Sequence, residues 1–179
     1  MERREDLAGV RALHLAAFGD HGPAVAELVD ALRDEVTADN GLSLVAVDAG
    51  GDVVGHVMFT RGLLDAPRRL VDVQVLSPLA VLPIRQGHGI GSALVRAGLQ
   101  VMTERAVPVV FLEGDPGYYS RFGFTPGGGQ GFRKPSLRIP DVAFQAIRLP
   151  HHEAWMSGSL VYSEIFWRHD AVGLREFGD

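Results

Sequence analysis

Hydrophobic and polar positions switch between two periods along the chain. Over residues 5–18, Leu7, Val10, Leu13, His14, Ala17 and Phe18 recur at helical spacing, and Gly19-Asp20-His21-Gly22-Pro23 then interrupts the pattern. Residues 24–36 carry Leu28, Ala31 and Leu32 on one side and Glu27, Asp30, Asp34 and Glu35 elsewhere, which predicts a second, amphipathic helix. Two short apolar runs, residues 42–47 and 53–60, flank Asp48-Ala49-Gly50-Gly51-Asp52 and predict an antiparallel hairpin. Residues 70–82 read as a longer strand containing Ser77-Pro78, where the missing proline N–H calls for a bulge or an edge. A helix from about Gly89 to Arg105, a strand over 107–112, a brief helix over 117–122, a glycine-weakened loop over 126–140 and strands over 142–148 and 158–167 complete the series. Neither a repeat nor a linker divides it. A single domain over residues 1–179 is expected, with a polar, less ordered tail from about Arg168.

Composition narrows the function classes. A chain of 179 residues buries one sizeable core, and no apolar run approaches the roughly 20 residues that cross a bilayer. The opening MERREDL lacks the apolar stretch of an export signal, so a soluble, cytoplasmic protein without a membrane partner is expected. The absence of cysteine removes disulfides, thiolate metal ligands and a cysteine-bound intermediate. A net charge of -5 argues against nucleic acid and for a small-molecule or peptide partner. The seven histidines are scattered without a His-Glu-x-x-His pattern, so no metal site is expected; His56, between apolar neighbours, reads as structural. No Gly-x-Ser-x-Gly elbow is present to support a serine hydrolase.

The stretch Gln86-Gly87-His88-Gly89-Ile90-Gly91-Ser92 carries the clearest chemistry. A helix that starts near Gly89 leaves its first N–H groups without intrahelical partners, and these donors, with the positive end of the dipole, attract an anion. Glycines let successive amides approach phosphate oxygens, and Arg85 and His88 stand at the rim. A Walker loop would need lysine before the hydroxyl residue, and none is nearby. A dinucleotide-binding turn would run directly from strand to first glycine, whereas Pro83-Ile84-Arg85-Gln86 intervenes and Ser92 holds the third glycine's place.

The same stretch matches the Gln/Arg-x-x-Gly-x-Gly/Ala signature and resembles the GNAT superfamily of N-acetyltransferases. Before it stands the apolar Leu79-Ala80-Val81-Leu82-Pro83, and downstream Tyr119-Ser120-Arg121-Phe122-Gly123-Phe124 looks like the family's Tyr-x-x-x-Gly-Phe element. Gly55-His56-Val57-Met58-Phe59 and Gly114-Asp115-Pro116-Gly117-Tyr118-Tyr119 are similar to a bacterial branch of predicted acetyltransferases. The resemblance implies an α/β (α+β) fold: a mixed, mostly antiparallel central sheet with a splayed parallel strand pair and flanking helices. The family's first strand has little room in Glu2-Arg3-Arg4-Glu5, so a short or absent edge strand is expected.

By the same resemblance, acetyl-CoA is the co-substrate, with its pyrophosphate over the amides of Gln86, Gly87, His88, Gly89, Ile90, Gly91 and Ser92. Backbone groups of Leu79 and Val81 hold the arm and thioester between the splayed strands. Tyr119 occupies the general-acid position, with Tyr118 as the neighbour that a one-residue change of helix phase would substitute. Glu113 and Asp115 are the candidate bases, Glu113 slightly ahead; the plainer roles are a solvated or salt-bridged Glu113 and, for Asp115, a helix cap. The implied activity is transfer of an acetyl group to a primary amine of a small molecule or peptide, in a monomer or a homodimer. A coenzyme-binding protein without transferase activity is the alternative, separated from it by thiol release with an acceptor.

Overall fold

The computed structural model describes residues 1–37 and 39–173. By its internal contacts the chain divides into two compact units, one of Met1–Thr60 with Leu76–Met102, the other of Arg61–Val75 with Thr103–Asp179. Eight strands are hydrogen-bonded into one mixed sheet: β1 Leu42–Val47, β2 Val53–Asp65, β3 Leu70–Val81, β4 Val109–Glu113, β5 Thr125–Pro126, β6 Phe132–Arg133, β7 Phe144–Arg148 and β8 Gly158–Val161. Their order is β5-β7-β4-β3-β2-β8-β6, with β1 paired to β2 off this path. Antiparallel pairing predominates; β3 with β4 and β6 with β8 are parallel.

In the first unit, α1 Leu7–Ala17 buries Val10, Leu13 and His14 at the spacing the sequence shows, and α2 Gly22–Glu35 buries Leu28 and Leu32 as expected, with Ala26 and Val29 beside them and Ala31 only half-buried. The hairpin β1–β2 pairs antiparallel as expected, from Leu42 opposite Phe59 to Ala46 opposite Gly55. Helix α3 Ile90–Glu104 buries Gly91, Leu94, Val95, Gly98 and Met102. A Cβ on Gly98 would stand 2.1 Å from the Phe59 ring, and one on Gly55 2.7 Å from Ile90, so this helix lies against β2 at a distance only hydrogen permits. No strand precedes α1 among the described residues. Arg4–Asp6 form a 3-10 turn, and Glu2 N–H donates to the Ser43 carbonyl at 3.0 Å.

In the second unit, β4 pairs with β7 from Val109 opposite Arg148 to Glu113 opposite Phe144. Phe111 meets Phe132 edge-on at 4.9 Å and stacks on Phe144 at 5.7 Å. The parallel ladder of β3 with β4 consists of Gln74 opposite Val110 and Val75 opposite Phe111, and ends before the cis Ser77–Pro78 bond. That proline lies in an interior strand rather than an edge, beyond the last rung of its parallel ladder.

Two expected elements differ. The strand expected over 158–167 ends at Val161, and Glu164–Arg168 form the short helix α5, capped by Ser163 accepting from Ile165 N–H. The apolar run Ile165-Phe166-Trp167 reads equally as strand or helix, and the serine cap decides it. The loop over 126–140 contains the two-residue strand β6 and the end of β5. The expected tail from Arg168 falls partly outside the described residues; within them Val172 is fully buried. No helix among the described residues is long and apolar enough to cross a membrane.

The first unit also holds a buried polar chain. His14 Nε2 and His56 Nδ1 lie 2.8 Å apart, His56 Nε2 lies 2.9 Å from Ser43 Oγ, and Ser43 Oγ donates to Glu2. Arg33 Nε donates to Glu2 at 3.0 Å and Arg33 Nη1 to Asp30 at 2.6 Å. Burial opposes the Glu2 charge, but hydrogen bonds with His56, Ser43 and Arg33 outweigh it and hold the carboxyl at about 2. Burial, reinforced by the His56 and Arg33 charges, pushes His14 down to about 3. A histidine kept neutral in the fold binds a proton more readily when unfolded, so its contribution is complete above the ordinary value of 6.5 and is lost as pH falls from there toward 3. Stability should therefore drop between pH 7 and pH 4.5 by about 2–3 kcal/mol from this group alone, at roughly 1.4 kcal/mol per unit. Urea unfolding at the two pH values should show this loss, and a His14→Leu variant should show a visibly flatter dependence.

Candidate active site

In the first unit, β3 gives way after Val81 to a 3-10 turn, Pro83–Arg85, and then to the glycine stretch. Leu82 N–H donates to the Val54 carbonyl at 3.0 Å, which ties the start of the turn to β2. Gly87 and Gly89 adopt φ of +76° and +82°, where a side chain is strained, and a Cβ on either would meet nothing within 4 Å. These two glycines therefore answer to backbone conformation and leave open space before the amides. The α3 ladder begins with Ala93 N–H to the Gly89 carbonyl at 2.9 Å, so the N–H groups of Ile90, Gly91 and Ser92 stand ahead of it. Gln86 Nε2 donates to the Val81 carbonyl at 3.2 Å, and His88 Nδ1 to the Gln86 carbonyl at 2.8 Å, so both side chains brace the turn. Arg85 pairs at 3.5 Å with Asp48 of the β1–β2 hairpin. Leu79 and Val81 are half-buried along β3.

In the second unit, Glu113 ends β4 and Asp115 caps α4 Pro116–Tyr119 by accepting from Gly117 N–H at 2.8 Å. The cap assigned to Asp115 from sequence is thus present. Tyr119 is half-buried with its ring against Gly114, where an added Cβ would stand 2.5 Å from the ring carbon Cε2. Burial, with Tyr118 beside it, pushes its hydroxyl well above the ordinary tyrosine value, so it stays protonated as a general acid requires. Tyr118 instead lies under the Arg121 guanidinium, 4.8 Å from the ring centroid. Glu113 is half-buried, and both its oxygens are held: Oε1 accepts from the Tyr162 hydroxyl at 2.8 Å and Oε2 from Gly173 N–H at 3.0 Å. Burial pushes its carboxyl up, while these two bonds and the Arg138 charge pull it back.

The turn of one unit thus presents the first amides of α3 beside two positive-φ glycines, and the strand end of the other carries the Tyr119 phenol and the Glu113 carboxyl. The model of the acetyltransferase (GNAT) domain matches residues 2–127. The chain belongs to the GNAT acetyltransferase family. It is 35% identical over 162 residues to the uncharacterised N-acetyltransferase YjhQ of Escherichia coli K12, across 88% of this chain and 81% of the relative. The 1.55 Å crystal structure of the GNAT family N-acetyltransferase YhbS from Escherichia coli, in complex with CoA, matches with a TM-score of 0.81 and 32% identity, across 99% of this chain and 91% of that one. A GNAT family acetyltransferase from Brucella melitensis, in complex with acetyl-CoA, matches with a TM-score of 0.71 and 33% identity, across 92% and 94%. The mixed sheet with its parallel pair and flanking helices is the GNAT fold.

Three residues of this GNAT strand end, Gln145, Tyr162 and Gly173, escaped the sequence reading, and Gly114 entered it only as part of a resembling stretch. Gln145 donates to the Gly114 carbonyl at 3.0 Å from β7, and Tyr162 and Gly173 reach Glu113 from 49 and 60 positions away. No local spacing encodes such contacts. Gly114 alone carried a signal, since a glycine directly after a strand marks a close approach. If that approach is by Tyr119, Gly114→Ala should destabilise by about 1–3 kcal/mol through overpacking, and far less in a Tyr119→Ala background. Denaturant unfolding of the two single variants and the double variant measures the coupling; additive costs would place the crowding elsewhere.

Proposed function

We propose that the protein is a cytoplasmic enzyme that transfers the acetyl group of acetyl-CoA to a primary amine of a small molecule or peptide, directly, within a ternary complex and a single GNAT domain. The observation that carries this reading is the exposed turn at Gly87 and Gly89, whose positive φ angles clear the space before the first amides of α3. Two relatives at 32% and 33% identity hold CoA or acetyl-CoA, which supports the same ligand here. The coenzyme pyrophosphate is assigned to the amides from Gln86 to Ser92, and the thioester end to backbone groups of Leu79 and Val81.

The neutral amine attacks the thioester carbonyl, a C–N bond forms, the C–S bond breaks, and the sulfur leaves with the electron pair. Tyr119 gives its proton to that sulfur. Glu113 accepts, directly or through water, the proton the nitrogen sheds; its two recorded bonds use two of about four lone-pair sites. No cysteine is available to hold the acyl group, which favours direct transfer over a covalent intermediate.

Thiol release from acetyl-CoA against a broad panel of amines, with products read by mass spectrometry, tests the activity; binding without release for every acceptor would favour a coenzyme-binding role. Gly89→Val should weaken CoA binding at least tenfold in a folded protein, as isothermal titration would show, and unchanged affinity would remove the turn from the site. With an acceptor in hand, Tyr119→Phe should lower turnover by about 10²–10⁴-fold with little change in coenzyme affinity, while Tyr118→Phe stays near the parent rate. The reverse ranking would make Tyr118 the acid.

A further inference from the structure

Glu113 is held by donors from two segments remote in sequence. Tyr162, 5% exposed, lies between the last residue of β8 and the Ser163 cap of α5, with its ring 5.0 Å from Phe166. It has one hydroxyl hydrogen, and gives it to Glu113 Oε1 at 2.8 Å. Gly173 N–H reaches Oε2 at 3.0 Å from a residue at φ of +63°. A Cβ there would stand 2.6 Å from the Arg138 backbone, so the amide is brought in at a distance that suits only glycine.

Among the described residues, the full charge acting on the carboxylate is that of Arg138. Arg138, from the 134–143 connection, attracts it and is itself paired with Asp170 at 3.2 Å. Strand β7 presents Phe144 opposite Glu113 and the uncharged Gln145, which is bonded to Gly114. Two neutral donors, one on each oxygen, therefore hold the rotamer and favour the ionised form against the burial that opposes it. Both bonds are made to the ionised form, which accepts at either oxygen without offering a proton.

We propose that Tyr162 is a positioning residue for acetyl transfer, holding Glu113 in one orientation and in its ionised, proton-accepting form. The proposal rests on the reading of Glu113 as the group that takes the amine's proton. Tyr162 does not touch the reacting atoms; it acts through Glu113. Removal of its hydroxyl leaves a desolvated carboxyl with one donor fewer, so Glu113 takes up a proton at higher pH.

The test compares the full-length parent with Tyr162→Phe by two readouts. The first is the Glu113 carboxyl carbon, followed by NMR against pH without substrate and identified by its loss in Glu113→Gln. The second is the pH profile of kcat/KM with an accepted amine. In Tyr162→Phe the carboxyl midpoint is expected to rise by about one pH unit or more, and the acid limb of the rate profile to rise with it, while the KM for acetyl-CoA stays constant. An unmoved carboxyl midpoint in a folded Tyr162→Phe protein would overturn the proposal, whatever the rates do. A midpoint that moves while the rate profile stays in place would overturn it by a different route, because Glu113 would then not be the proton acceptor. A uniform fall in rate with both midpoints unchanged would mark a purely structural tyrosine.

Discussion

The close approach of α3 to β2 governs the first unit. At Gly98 the Phe59 ring occupies the space a side chain would need, and at Gly55 the side chains of Ile90 and Leu94 do the same. Ile90 is the first residue of α3, so its contact with the strand fixes where the helix begins and hence where its unpaired amides stand. The turn before it is tethered on the other side by Leu82 to Val54. Gly87 and Gly89 are free to serve the backbone because the neighbouring contacts already hold the helix in place. The placement of these first amides derives from packing a few residues away, not from the turn itself.

In the second unit the corresponding organiser is a carboxylate. Glu113 joins the end of β4 to the β8–α5 junction and to the last described residue of the chain, while Gly114 beside it accepts the Tyr119 ring on one side and a bond from Gln145 on the other. Two adjacent residues with opposite demands, one desolvated and polar and one without a side chain, set the surroundings of both proposed proton carriers. A desolvated carboxyl is unfavourable alone, and here two donors and a neighbouring guanidinium offset part of that cost.

Much of this was legible in the chain. Helices α1, α2 and α3, the hairpin and the glycine turn follow from local periods and turn residues, which act over fewer than five positions. Misreadings fell where local signals tie: Ile165-Phe166-Trp167 suits strand or helix, and only the hydrogen bond of Ser163 resolves it. The partners of Glu113 were invisible for a different reason. A tyrosine after a short strand and a glycine near the chain's end carry no mark of a contact some fifty residues away. His56, read as structural, is fully buried on β2, yet nothing in its neighbourhood pointed to His14 on α1. Strand Val53–Asp65 outran its apolar run because its later residues gain their pairing from β8, not from their own pattern.

The histidine pair constrains how such a chain can vary. Each ring is fully buried and supplies a neighbour for the other's nitrogen, with His14 Nδ1 already lacking a partner. Replacing His14 alone by an apolar residue leaves His56 Nδ1 without its neighbour, and replacing His56 alone leaves both His14 ring nitrogens without one, whereas replacing both removes the need. The two positions should therefore drift together through related sequences, with single replacements selected against and concerted exchange tolerated. A purely structural contact would then show epistasis as strong as that expected of a catalytic pair.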